Sequence, residues 1–200
     1  YVYDDTQAGL GLYGTPTIVG DAVVFTPATF RAESLNGAPT DTLLVDFVFS
    51  SVYSTGPGGF LGPVQVIEAG DYSIGGGTVA AAVGARIEDN NSAFMVEGIV
   101  DLSESDDTGN ALLWEIAGSL NGGPLTDIQL TLRNLIEASS VGAGDYAWIQ
   151  KKQIFLTASP DFLVLPPAGP GFPGVPAPGV LMLMGLGLTA LGWTRRRKSK

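Results

Sequence analysis

Apolar residues recur at every second position through most of this chain. In "TDTLLVDFVFSSVY", Leu43, Val45, Phe47 and Phe49 share one face, while Asp46 and Ser50 take the other. "GGTVAAAVGARIED" places Val79, Ala81, Val83, Ala85 and Ile87 in phase, with Arg86 and Glu88 opposite. Ile128, Leu130 and Leu132 face away from Gln129, Thr131 and Arg133, and Val23 and Phe25 alternate with small or polar neighbours. "AFMVEGIVDL", "LLWEIAGSL" and "YAWIQKKQIFLTAS" follow the same rule. A period of two over five or more residues predicts strands with one buried face. Ala111 to Leu120 also admits a helix, but Gly118 and the flanking turn residues favour a strand.

Between these runs lie Gly56-Pro57-Gly58-Gly59, Gly75-Gly76-Gly77, Asp107-Thr108-Gly109-Asn110 and Asn121-Gly122-Gly123-Pro124. Such clusters supply the positive φ angles and fixed proline φ that turns require. The pattern from Thr17 to about Ser159 predicts an all-β domain of roughly nine or ten strands. One-sided alternation means that two sheets must cover each other's apolar faces. The expected fold is an antiparallel β-sandwich of jelly-roll type over residues 1–159. A Pro/Gly-rich linker follows over 160–174, then a single hydrophobic helix within 175–200.

Charge sharpens the division. The chain has 10 Lys and Arg against 20 Asp and Glu, a net charge of −10. Five of those cations fall within Arg195–Lys200, which leaves residues 1–194 at −15. A body this acidic repels phosphate backbones, so nucleic acid is excluded as a partner. Cysteine and histidine are both absent. Thiolate nucleophiles, disulfides, Ser-His-Asp triads and Cys- or His-ligated zinc go with them. Carboxylate chemistry remains open, yet no two of the 20 acids stand out as a glycosidase pair, and no catalytic residue is assigned.

Two kinds of binding residue deserve naming. "DLSESDDTGN" gathers Asp101, Glu104, Asp106 and Asp107 within seven residues, a loop able to offer several hard oxygens to a weakly held calcium ion. No other cofactor is expected. "RIEDNN" reads as a plain turn. Among aromatics, Trp114, Trp148, Tyr72 and Tyr146 are candidates for a sugar platform, since ring faces pack on the apolar faces of pyranoses. Trp114 alternates with Leu112 and Ile116 and is expected in the core, whereas Tyr146 and Trp148 share a face beside a Gly-rich turn.

After Ser159 the composition changes. "SPDFLVLPPAGPGFPGVPAP" holds seven of the 13 prolines and reads as a semi-rigid linker. Asp161 is the last acid, and 33 uncharged residues run from Phe162 to Thr194. As a helix, Gly179 to Trp193 would span about 22 Å; extension to Pro176 and Thr194, with arginines snorkelling, approaches the ~30 Å hydrocarbon core. The basic cluster Arg195, Arg196, Arg197 and Lys198 would hold the C-terminus in the cytoplasm and leave the acidic body outside. Neither a basic region nor an apolar run opens the chain at Tyr1, which fits an export signal already removed.

Three dissimilar elements in this order, Val175-Pro176-Ala177-Pro178, the Leu181–Leu188 run and Arg195 to Lys198, resemble the PEP-CTERM sorting signal of exported Gram-negative proteins. Ala177 stands where that family usually has glutamate. The resemblance implies an exosortase as processing partner and a transient single-pass precursor in the inner membrane. It further implies a mature protein at the cell surface or outside, in a family linked to exopolysaccharide and biofilm.

These readings give a leading function and two rivals. The leading one is a non-enzymatic, surface-sorted or secreted protein of an exopolysaccharide matrix. The rivals are a carbohydrate- or calcium-binding adhesin module and a glycoside-active enzyme using two carboxylates. An aromatic strip exposed on one sheet would favour the adhesin module. A cleft with carboxyls about 5–9 Å apart would favour the enzyme. For the tail, mass spectrometry of protein recovered from its own cells should find a chain ending near Val175–Pro178. A Lys200 terminus on all surface material would instead mean a permanent anchor.

Overall fold

A computed structural model describes residues 1–55, 59–104, 110–121 and 123–158. The linker, Val175–Pro178 and Arg195–Lys198 lie outside these, as do Asp106 and Asp107. No helix among the described residues is long and apolar enough to cross a membrane.

The strands are β1 (Val2–Tyr3), β2 (Thr17–Val19), β3 (Ala22–Phe25), β4 (Arg31–Leu35), β5 (Asp41–Tyr53), β6 (Val64–Gly75), β7 (Gly77–Asp89), β8 (Met95–Glu104), β9 (Leu112–Leu120), β10 (Asp127–Ser140) and β11 (Tyr146–Thr157). A single helical turn, α1 (Leu10–Tyr13), precedes β2. All pairings are antiparallel. One sheet has the order β1-β5-β10-β7-β8 and the other β2-β3-β11-β6-β9, with β4 beside β11. Counting only β3 and β5 to β11, the two sheets run first-eighth-third-sixth and second-seventh-fourth-fifth. That interleaving is the jelly roll, so the expected sandwich is the observed one.

The predicted faces hold. Phe47, Phe49, Val79, Ala81, Val83, Ile87, Ile128, Leu130 and Leu132 point into the core, and Ala111–Leu120 forms β9 rather than a helix. The chain before Thr17 adds what alternation did not predict. The α1 turn drops Tyr13 between the sheets, where its ring packs edge-on against Phe25 and Phe30 at 5.2 and 5.9 Å between centroids. Phe47 and Phe49 complete this aromatic cluster.

Two glycines carry the layering. Gly76, at φ 81°, turns the chain from β6 in one sheet to β7 in the other, a backbone angle that suits glycine. Gly70 lies between Lys151 of β11 and Trp114 of β9, facing inward. A Cβ there would run into the Gln150 carbonyl oxygen and stand 2.7 Å from Trp114 Nε1. The missing side chain is what lets the indole lie across the sheet and donate to Gln150 O at 3.2 Å. Gly70→Ala should therefore lower unfolding stability by about 1–3 kcal/mol, read from urea denaturation, as overpacking of a filled core does. A change within about 0.5 kcal/mol would mean that the indole has room to move.

Candidate functional site

The two sheets show solvent different chemistry. On the five-stranded sheet, Arg133 of β10 donates twice to Asp46 of β5, both at 2.8 Å, and holds its carboxyl below the usual range. Arg86 of β7 reaches Glu88 at 2.6 Å and Glu97 of β8 at 3.4 Å. These ion pairs, cross-strand except for Arg86–Glu88, are solvent-screened, and Leu44 and Ile99 are exposed on the same sheet.

The six-stranded sheet is different. β11 lies between β4 and β6, and its outward residues Tyr146, Trp148 and Gln150 stand in a row. Tyr146 is paired with Leu35 and Gly75, Trp148 with Glu33 and Ser73, and Gln150 with Arg31 and Asp71. Gly75 has no side chain to lift the phenol, so the Tyr146 ring lies over its Cα, where any Cβ would strike the ring. Arg31 stacks its guanidinium 4.3 Å from the Trp148 ring centre and pairs with Glu33 at 3.3 Å. Lys152 donates to Asp71 Oδ2 at 2.5 Å, while Asp71 Oδ1 is covered and receives no hydrogen bond. The result is a half-buried aromatic strip bordered by amide, carboxylate and cationic groups. Such a surface offers flat apolar rings beside directional donors and acceptors, the combination that orients a polar ligand with apolar faces.

The other aromatic candidates are structural. Trp114 is in the core as expected, 5% exposed. Tyr72 is a correction: it is 7% exposed and points inward with Val64, Val66 and Ile74 on β6, because the apolar phase of that strand includes it. The calcium reading falls largely outside what is described. Asp101 lies within β8 and Glu104 ends it, and among the described residues no group of three or more carboxylates is placed to hold a metal ion. "RIEDNN" is a turn closed by Asp89, whose carboxylate accepts from Asn91 N at 3.0 Å and Ser92 Oγ at 2.6 Å.

Alternation also concealed a second cluster, inside the sandwich. Lys151 of β11, Glu68 of β6 and Asn134 of β10 are each 0% exposed. Lys151 Nζ donates to both Glu68 Oε2 and Asn134 Oδ1 in direct contact. Asn134 Nδ2 donates to the Tyr13 hydroxyl at 2.5 Å, and that hydroxyl donates to Leu132 O at 3.3 Å. Glu68 Oε1 receives no hydrogen bond. Burial pushes the Glu68 carboxyl up and the Lys151 ammonium down, each opposed by the other's charge, and raises the Tyr13 phenol well above its ordinary value. The signal was present in the sequence. Asn134 continues the inward phase Ile128-Leu130-Leu132, and Lys151 continues Ala147-Ile149.

No family model matches the chain, and no curated protein matches it. Among solved structures it is similar to TmCBM61 in complex with beta-1,4-galactotriose, with a TM-score of 0.29 and 12% identity over 68% of this chain and 70% of that one. It is also similar to a carbohydrate binding module of family 29, with a TM-score of 0.22 and 18% identity over 76% of this chain and 79% of that one. CBM4 follows at a TM-score of 0.22 and 9% identity, over 70% of this chain and 83% of that one.

The two tryptophans should separate in mutagenesis. Trp114→Ala empties core volume and should cost about 3–5 kcal/mol in chemical denaturation. Trp148→Ala loses mainly its contact with Arg31 and should cost about 1 kcal/mol or less. Equal costs would make Trp148 a packing residue and remove it from the candidate site.

Proposed function

We propose that this protein is an exported, non-enzymatic β-sandwich that binds a neutral extracellular polysaccharide on the outer face of its six-stranded sheet. The supporting observation is the row Tyr146, Trp148 and Gln150 on β11, with Asp71, Lys152 and Arg31 alongside. Rings two residues apart on one strand face are about 7 Å apart, within the reach of successive sugar units. The adjoining side chains offer hydroxyl groups both donors and acceptors, from Gln150, Lys152 and Arg31. Charge argues for a neutral glycan, because residues 1–194 carry −15 and would repel a uronate or sulfate polymer.

Delivery belongs to the same reading. The C-terminal signal would carry the body across the inner membrane, present the Val175–Pro178 region to an exosortase and release the domain into a polysaccharide matrix. Sorting and binding would then serve a single role, that of a matrix protein which adheres to the polymer around it.

Affinity electrophoresis of the full chain through gels containing neutral polysaccharides tests the binding. At least one β-linked neutral polymer should retard the protein. Tyr146→Ala or Trp148→Ala should weaken that retardation about tenfold, a change that needs only about 1.4 kcal/mol of lost contact. Retardation by no polymer, or equal retardation of both variants and the parent, would overturn the assignment of this face.

A further inference from the structure

The core cluster brings together an amine, a carboxamide and a carboxyl group, all withdrawn from water. Lys151 Nζ touches Asn134 Oδ1 and Glu68 Oε2 at once. The rings of Phe30 and Trp114 flank it, 5.5 and 5.8 Å from Nζ to their centres. Tyr13 fixes the carboxamide from the far side through Nδ2. We propose that Lys151 and Asn134 condense into an intramolecular amide that covalently joins the two sheets, with Glu68 as the proton carrier.

The step balances without any co-reactant. The neutral Lys151 amine attacks Asn134 Cγ while the protonated Glu68 carboxyl hydrogen-bonds Oδ1. Glu68 then gives its proton to Nδ2 and, as the carboxylate, takes one from Nζ. The Cγ–Nδ2 bond breaks, ammonia leaves, and a Cγ–Nζ bond has replaced it. Nothing is oxidised or reduced, and Glu68 ends as it began. The site favours the forms this chemistry needs. Burial drives Lys151 towards the free amine and Glu68 towards the acid, and a desolvated lysine is the usual way of obtaining an amine nucleophile.

A permanent ion pair is the competing account, and it fits less well. Each buried ion costs several kcal/mol in desolvation, repaid only when its remaining acceptors and donors are filled. Glu68 Oε1 has no donor. The condensed product has no net charge to bury. A chain without cysteine also has no disulfide with which to fasten one sheet to the other.

Mass spectrometry of the denatured full chain tests this. The intact protein should weigh about 17 Da less than its sequence, the mass of one ammonia lost to amine attack. Trypsin should fail to cut after Lys151. Glu-specific cleavage after Glu115 and Glu137 should leave fragments 116–137 and 138–200 joined. Lys151→Arg and Asn134→Ala should return the full sequence mass, and Glu68→Gln should leave the chain uncrosslinked or nearly so. A wild-type chain at its full mass, cut normally after Lys151, overturns the proposal whether or not any variant folds. A loss of about 18 Da with the link mapped to Glu68 would overturn Asn134 as the acyl partner. A Glu68→Gln chain cross-linked as fully as the parent would overturn the role given to Glu68.

Discussion

The constraint on which this sandwich turns is the placement of a lysine amine and a glutamate carboxyl between two sheets that otherwise meet through apolar side chains. Neither group can be left alone there, since an unpartnered buried charge costs far more than any single packing contact returns. The surrounding architecture follows. Asn134 must come across from the opposite sheet, so the register of β10 against β11 is tied to one atom-to-atom contact. Tyr13 must cap the carboxamide, which gives the short α1 turn its reason to enter the core. Gly70 must be bare, because Trp114 reaches over it to close the aromatic wall around Nζ.

The same strand carries both sites, and its geometry explains how. β11 pairs with β6 throughout, but its register slips between Lys151 and Gln153. Before the slip, Ala147, Ile149 and Lys151 face inward while Tyr146, Trp148 and Gln150 face out. After it, Ile154 and Leu156 take over the inward face. A bulge of this kind re-aims side chains and lets one strand serve two phases. Lys151 therefore ends the inward row beside the cluster, and Lys152 is freed to reach Asp71 on the outer face. The outer strip and the inner cluster are two sides of a single stretch of seven residues.

Much of the fold could be read from the chain because alternation reports burial directly. Where it was strict, as at Phe47 and Phe49 or Ile128 to Leu132, strand and face were both legible. Ala111–Leu120 was legible too, since Gly118 and its turns outweighed a helix. Tyr72 was misread because an isolated aromatic says nothing of its face. Only its place in the series Val64, Val66, Tyr72 and Ile74 does so. The inner cluster was hidden for a related reason. Hydrophobic patterning treats a polar residue in an apolar phase as noise, while a chain that needs buried chemistry writes it in that form. Tyr13 was beyond reach, because no periodicity exists in a helix of four residues.

Topology gives the cluster a mechanical meaning. β11 is the last described strand, and residues 159–200 follow it in the chain. Any pull on the body through its C-terminal side is therefore felt first by β11. Hydrogen bonds between antiparallel strands loaded from one end break one after another, each worth only about 1 kcal/mol. In such a peel, residues Thr157 back to Gln153 would separate from β3 and β6 before the front reached Lys151. There the strand is attached by side-chain chemistry to β10, the central strand of the opposite sheet, flanked by β5 on one side and β7 on the other. Load at that point is shared by two sheets instead of one. The outward strip Tyr146 to Gln150 lies on the protected side of this lock. For the polymer-binding role proposed above, the position of Lys151 in the strand would keep that face flat while the C-terminal side of the body is pulled.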